Sequence, residues 1–178
     1  MNDTSANNEQ EHLWVSWDEY HQAIEQLAKQ VHASGWEFDH ILCLARGGLR
    51  PGDIFSRLFK RPLAILSTSS YREANGTQRG TLDIAPHITT TCHPIQGRVL
   101  LMDDLVDSGI TLQQVQQYLI AHYSAITELK TAVIWFKSSS VITPDYYHQY
   151  LENHTWIHQP FETYDALTPD LIIDNKSN

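Results

Sequence analysis

The residues best suited to chemistry lie in one stretch, Val99-Leu100-Leu101-Met102-Asp103-Asp104-Leu105-Val106-Asp107-Ser108-Gly109-Ile110-Thr111-Leu112. Its apolar start, Val99 to Met102, predicts a buried strand that delivers Asp103 and Asp104 to a sheet edge. A small-residue turn then runs into a helix with Leu112, Val115, Leu119 and Ile120 on one face. At the helix entrance, free backbone N–H groups, the helix dipole and the hydroxyls of Ser108 and Thr111 make a cradle for a phosphate group. Three carboxylates beside an anion repel it unless hydroxyls or a divalent cation intervene. Magnesium binds through one or two carboxylates and keeps water or substrate oxygens in its shell, and sugar hydroxyls donate to the remaining carboxylate oxygens. A sugar phosphate with a vicinal diol meets both demands. A bare Asp-Asp after a strand would be read as the start of a solvated turn, with Asp107 and Ser108 capping the helix; the full fourteen-residue pattern is what favours a ligand. There is no Walker A loop and no GxGxxG after a strand, so nucleotide triphosphatase and dinucleotide readings lack their signatures.

Three further segments supply candidates. Ala45-Arg46-Gly47-Gly48 follows the apolar run Ile41 to Ala45, offering close backbone approach at the glycines and a guanidinium that grips phosphate bidentately; alone it also fits a tight turn with a surface Arg. Ser69-Ser70-Tyr71 opens a polar stretch to Gly80 with Asn75-Gly76 at its tip, which fits either a functional loop or an ordinary hairpin. Lys137 follows the apolar run Ala132 to Phe136, and Thr155-Trp156-Ile157-His158-Gln159-Pro160-Phe161 offers an aromatic face; by themselves these are a strand-end charge and a core aromatic.

The elements that must hold these residues follow from periodicity. Ser16 and Glu19 form a capping-box pair before Tyr20, Ala23, Ile24, Leu27, Ala28 and Val31 at helical spacing, with Gly35 as the stop. Strands over 41–45, 63–66, 99–102 and 132–136 are apolar on both faces and alternate with helices, one opening at Pro51 and running through Leu58. The expected fold class is therefore α/β, a mostly parallel twisted sheet flanked by helices with right-handed crossovers, and ligands at the carboxyl ends of the strands. Residues 1–12 read as a frayed polar tail and 13–178 as a single domain, core about 13–140.

Composition narrows the class. Hydrophobic residues are 42% and charged residues 19% of the 178, an ordinary globular balance. The net charge of -9, from 21 acidic and 12 basic side chains, repels polyanions, so nucleic acid is not an expected partner. Cys43 and Cys92 are too few for a disulfide framework, and His87, Cys92 and His93 lack zinc spacing. No apolar run approaches a membrane span or a signal peptide, so a cytoplasmic protein is expected.

The stretch Val99–Leu112 resembles the phosphoribosyl pyrophosphate (PRPP) motif of type I phosphoribosyltransferases: an apolar strand, Asp-Asp, two apolar residues, then Asp-Thr/Ser-Gly-x-Thr. The resemblance implies that Asp103 and Asp104 face the ribose hydroxyls and a Mg2+ ion, that Asp107 is the acid/base, and that Asp107, Ser108, Gly109, Ile110 and Thr111 hold the 5'-phosphate. It implies that Arg46, Gly47 and Gly48 bind pyrophosphate after a cis peptide, and that Ser70, Tyr71 and Arg72 or Arg79 belong to a loop closing over PRPP. From Val15 through Phe161 the chain is similar to the bacterial xanthine-guanine phosphoribosyltransferases. That similarity implies a C-terminal base-binding hood at about 141–178, with Lys137 donating to a purine 6-oxygen, Trp156 stacking on the ring, and Ile157 and His158 beside it. It also implies a homodimer or homotetramer. His158 stands where that group tends to have an acidic residue, and the segment Ser67 to His93 is longer, so hypoxanthine, guanine and xanthine all stay open as the base. The expected activity is transfer of a phosphoribosyl group from PRPP to a 6-oxopurine in purine salvage. The alternatives are a PRPP-binding regulatory protein and a phosphoribosyltransferase for adenine or a pyrimidine.

Overall fold

The computed structural model describes residues 11–72, 79–91, 94–152 and 154–174. Along the chain these form β1 (His12–Trp14), α1 (Trp17–Ala33), β2 (His40–Ala45), α2 (Leu49–Phe59), β3 (Leu63–Arg72), β4 (Arg79–Ile84), β5 (Thr89–Thr90), β6 (Gly97–Val106), α3 (Ile110–His122), β7 (Ile126–Lys137), β8 (Tyr146–Leu151), β9 (Trp156–His158), a 3-10 turn (Glu162–Asp165) and α4 (Pro169–Asp174). Contacts divide the chain into a larger unit, Ile24–Asn153, and a smaller one made of Met1–Ala23 with His154–Asn178.

The larger unit is built on a seven-stranded sheet of order β4-β3-β2-β6-β7-β8, with β5 paired to β3. Its β2–β3, β2–β6, β6–β7 and β7–β8 pairings are parallel, and only β4 and β5 run antiparallel to β3. This is the mostly parallel α/β sheet expected from strands apolar on both faces. Because strand side chains alternate, Leu42 and Leu44 of β2 and Val99 and Leu101 of β6 form one buried layer with Leu112, Val115 and Leu119 of α3. On the opposite row, Cys43 meets Gly52 of α2, where a methyl group would collide with its sulfur. Burial pushes the Cys43 thiol up to about 12, aided by the charges of Asp103 and Asp53.

The chain leaves β2 toward β3 on one side, whereas β6 lies on its other side. The carboxyl ends of β2 and β6 thus flank the point where strand order reverses, the usual crevice for a ligand in such sheets.

Several strands extend beyond the apolar runs. β6 continues through Asp103 and Asp104 to Val106 because β7 pairs with it as far as Val106↔Phe136. The acidic pair therefore sits within the strand, not past its end. β3 likewise runs to Arg72, with Ser70↔Leu82 and Arg72↔Arg79 against β4, so the described ends of this polar stretch are paired strands with an irregularity between Ser70 and Arg72. Its Asn75-Gly76 tip lies outside the described residues, as do Cys92 and His93.

In the smaller unit, β1 and β9 form a parallel two-stranded sheet with His12↔Trp156, Leu13↔Ile157 and Trp14↔His158. His12, expected in the tail, is held there by its partner strand. The capping box before α1 forms as expected: the Ser16 N–H donates to Glu19 Oε2 at 2.8 Å and the Glu19 N–H to Ser16 Oγ at 3.2 Å. Among the described residues no helix is long and apolar enough to cross a membrane.

Candidate active site

Register explains how the larger unit gathers its polar residues. Cys43 of β2 is level with Met102 of β6, so the turn Arg46-Gly47-Gly48 beyond β2 passes over Asp103 and Asp104. A Cβ on Gly47 would collide with the Asp104 carboxylate and come 2.8 Å from Asp103 Oδ1; one on Gly48 would strike the Met102 carbonyl and the Leu44 backbone. Both positions therefore need glycine for close approach rather than for unusual dihedrals. The Ala45–Arg46 peptide is cis, as the resemblance implied.

The two carboxylates converge beside Gly47 from neighbouring positions of β6. Asp103 Oδ1 accepts the Asp104 N–H at 2.9 Å. Burial, and next the charge of Asp104, push the Asp103 carboxyl well above the usual carboxylate range, against the lowering effect of the Asp104 and Gly48 amides. Two neighbouring carboxylates attract positive charge. A divalent cation coordinated by one or two carboxylates would supply it, with the rest of its octahedron left to water and substrate oxygens. The donor set fits magnesium on that ground, while among the described residues no cluster of three His, Cys, Asp or Glu forms an all-protein cage.

Beyond β6 the chain makes the turn Asp107-Ser108-Gly109 and enters α3 at Ile110. A pocket of about 150 Å³ is lined by Asp103, Leu105, Val106, Asp107, Ser108, Gly109, Thr111 and Leu112. Asp103 and the helix entrance therefore share one cavity; Asp104 is outside its lining and meets the Gly47 turn instead. Gly109 is the N-cap, at φ 75°, and no side chain caps the helix. The first N–H groups of α3 and the hydroxyls of Ser108 and Thr111 are thus not consumed by capping, unlike the solvated-turn reading of Asp107 and Ser108. Gly109 is required twice, by its positive φ and because a Cβ would collide with Ser140 Oγ.

Lys137 ends β7, one residue past the Val106↔Phe136 pair, so it arrives level with Asp107. Its ammonium lies 3.6 Å from Asp107 Oδ1, and the side chain is only 8% exposed. A lysine almost fully buried at a strand end is not a solvated charge. The turn after it braces the same loop. Ser139 Oγ donates to the Asp107 main-chain oxygen at 3.1 Å and to Oδ1 at 3.3 Å, and the Val141 N–H donates to the Ser108 carbonyl at 3.0 Å. Ser139 and Val141 carry no motif, and only the register of β6 with β7 could have located them.

The remaining candidates divide by unit. Ser70 and Arg79 lie on the paired strands β3 and β4, as does Tyr71, at the irregularity between Ser70 and Arg72. Trp156, Ile157 and His158 form β9 of the smaller unit, where Ile157 is buried and Trp156 is 52% exposed. There His158 stacks on Trp14 with ring centroids 3.7 Å apart and planes 5° from parallel. Trp14 was not among the residues singled out from sequence; its period-two alternation with His12 spans too few residues to read.

Comparison with known proteins agrees with this geometry. The model of the phosphoribosyl transferase domain matches residues 16–166. The xanthine-guanine phosphoribosyltransferase of Idiomarina loihiensis is 32% identical over 152 residues, 84% of this chain and 86% of that protein. The purine phosphoribosyltransferase of Pyrococcus horikoshii superposes with a TM-score of 0.68 at 26% identity, covering 85% of this chain and 93% of its own. The xanthine-guanine-hypoxanthine phosphoribosyltransferase of Helicobacter pylori gives a TM-score of 0.70 at 22% identity over 94% and 99% of the two chains, a likeness of fold.

Proposed function

This chain belongs to the phosphoribosyl transferase domain family, and from that premise we propose that it is a purine phosphoribosyltransferase serving salvage, which moves the 5-phosphoribosyl group of PRPP to a 6-oxopurine and releases pyrophosphate. The observation that supports this most is the pocket in which Asp103 of β6 meets the uncapped entrance of α3, beside the Arg46-Gly47-Gly48 turn. A sugar phosphate is the ligand with diol hydroxyls for one end and an anion for the other.

In this reading the amides and hydroxyls of Asp107 to Thr111 hold the 5'-phosphate, and Asp103 and Asp104 receive the ribose hydroxyls and a Mg2+ ion. Bound there, the ion would neutralise the acidic pair and the pyrophosphate oxygens. Arg46 and the amides of Gly47 and Gly48 grip the leaving pyrophosphate, with Ser70, Tyr71 and Arg79 of the hairpin serving the same group. As the bond from C1' to pyrophosphate breaks, positive charge grows on the sugar, which the nearby carboxylates favour. Asp107 accepts the proton lost from the purine ring nitrogen as that nitrogen bonds C1'. Lys137 donates to the 6-oxygen, and an ammonium, which can only donate, disfavours a 6-amino purine. Trp156 stacks on the ring, with Ile157 and His158 beside it. Residues 13–178 act as one phosphoribosyltransferase domain of a cytoplasmic homodimer or homotetramer.

The test is to incubate the pure protein with PRPP, Mg2+ and each nucleobase in turn and to measure nucleoside monophosphate. Product from hypoxanthine, guanine or xanthine, and little from adenine or pyrimidines, is expected. PRPP binding without product from any base would instead support a regulatory protein.

A further inference from the structure

Three serines, Ser138-Ser139-Ser140, follow Lys137, and nothing in the sequence separates their roles. The backbone does. The Ser138 N–H donates to the Leu151 carbonyl at 2.9 Å, and the Ser140 N–H to the Lys137 carbonyl at 3.1 Å, closing a turn over Lys137–Ser140. The Val141 N–H then donates to the Ser108 carbonyl at 3.0 Å, so the turn is tied both to its own sheet and to the loop bearing Asp107. The Ser140 hydroxyl faces the other way, donating to the Ile142 carbonyl at 2.6 Å. Held between these anchors, Ser139 Oγ lies 3.1 Å from the Asp107 main-chain oxygen and 3.3 Å from its Oδ1. Asp107 lines the cavity at the entrance of α3, yet its side chain is 60% exposed, and an exposed carboxylate has several rotamers open to it. Two donors narrow that choice, the Lys137 ammonium and the Ser139 hydroxyl, and both approach Oδ1. Among the described residues no hydrogen bond or ion pair reaches Oδ2.

We propose that Ser139 is a positioning residue of the reaction: its hydroxyl on Oδ1 holds the Asp107 carboxylate in one rotamer, with Oδ2 left to take the proton. This rests on the reading of Asp107 as the proton acceptor and of Lys137 as the donor to the 6-oxygen. When the ammonium turns from Oδ1 to a purine oxygen, one of the two restraints on Asp107 is withdrawn. Ser139 is the donor that stays. The purine nitrogen then bonds C1', pyrophosphate leaves with the electron pair of its bond to C1', and the nitrogen's proton passes to Oδ2. Ser139 keeps its own proton throughout. Because Lys137 already holds Asp107 before a base binds, the loss of Ser139 is felt in the chemical step and not in the affinity for PRPP. The hydroxyl has a single proton for two acceptors. If that proton went only to the main-chain oxygen, Ser139 would brace the phosphate loop instead, and its loss would weaken PRPP binding.

The experiment measures single-turnover rates at saturating PRPP and base, with PRPP affinity by calorimetry, in the native protein and in Ser139→Ala, Ser139→Thr and Ser139→Val. Ser139→Ala is expected to slow the chemical step roughly 3- to 10-fold, the effect of losing one exposed hydrogen bond, with PRPP affinity unmoved. Ser139→Thr keeps the hydroxyl and should restore most of the rate. Ser139→Val has the shape of Thr without the hydroxyl and should not. Should Ser139→Ala fail to fold, the contrast between Thr and Val carries the same test. Ser139→Ala is also placed on Asp107→Asn, where a residue acting through the carboxylate has nothing left to position and should cause no further loss. An unchanged rate in Ala and Val, a full additional loss on Asp107→Asn, or weakened PRPP binding at an unchanged rate would overturn the proposal. If the native protein makes product from no base, the reading of the function fails first; if it does and Ser139→Ala is as fast, only the role of Ser139 falls.

Discussion

The ammonium of Lys137 stands 3.6 Å from Oδ1 of Asp107, joining the ends of two neighbouring parallel strands. Each residue was assigned a separate task from sequence, yet they meet as a partly buried ion pair. Asp107 holds Lys137 at the strand ends, and on the proposed reading a purine 6-oxygen would compete with the carboxylate for the same N–H donors.

Lys137→Ala should therefore lower kcat/KM for hypoxanthine and guanine roughly 10- to 150-fold, the range for a hydrogen bond to a charged group. Steady-state kinetics over a base panel checks this. Unchanged values would remove Lys137 from base recognition and leave it a structural partner of Asp107.

Asp107→Asn should reduce turnover by about 10² or more while PRPP affinity changes little, as expected of a group that acts on a proton in flight. Calorimetric titration with PRPP beside single-turnover rates separates the two effects. Collapse of PRPP binding with intact chemistry would make Asp107 a ligand of the phosphate and nothing more.

Gly47 and Gly48 should respond differently to the same methyl group. At Gly48 the obstacles are the Met102 carbonyl and Leu44 main chain, which cannot turn aside, so Gly48→Ala should cost about 1–3 kcal/mol and lower Tm by roughly 3–10 °C. At Gly47 the obstacles are the Asp103 and Asp104 side chains, which can rotate, so Gly47→Ala should spare most of the stability and displace the acidic pair. Thermal melts and PRPP titrations of the two variants test the contrast; equal losses of stability would contradict it.

Asp103 should be a site where function opposes stability. Its carboxyl is held well above the ordinary range by burial and by Asp104, so protonation favours the folded state. Whatever stability this group lends is fully present below the unfolded carboxylate range and is lost as pH rises through the raised folded value. In EDTA, Asp103→Asn should melt a few degrees above the native protein at pH 8, with the difference shrinking toward pH 4. A variant that melts lower at every pH would show that hydrogen bonds to the carboxylate outweigh its desolvation.

What the sequence made legible were features whose cause is local. The Ser16–Glu19 capping box and the apolar rows of β2 and α3 depend on spacing within a few residues, and the pocket at the entrance of α3 is lined largely by one contiguous motif. What stayed hidden depends on pairing at a distance. β6 looked finished at Met102 because aspartates disfavour strands, and only the partner residues Val133 to Phe136 carry it through the acidic pair. His12 looked like tail because its partner, Trp156, is almost the whole chain away. The Asp107–Lys137 contact had the same origin: two readable strand ends whose register no periodicity specifies.

The parallel pairing of β1 with β9 also bears on the order in which the protein assembles. The larger unit is one uninterrupted segment, Ile24–Asn153, whereas the smaller combines residues before Ile24 with residues after Asn153. During synthesis, the stretch bearing the acidic pair is complete before Trp156 leaves the ribosome, and His12 and Trp14 must wait unpaired until then. Chains stalled at Asn153 should accordingly resist protease across the sheet while being trimmed readily ahead of α1.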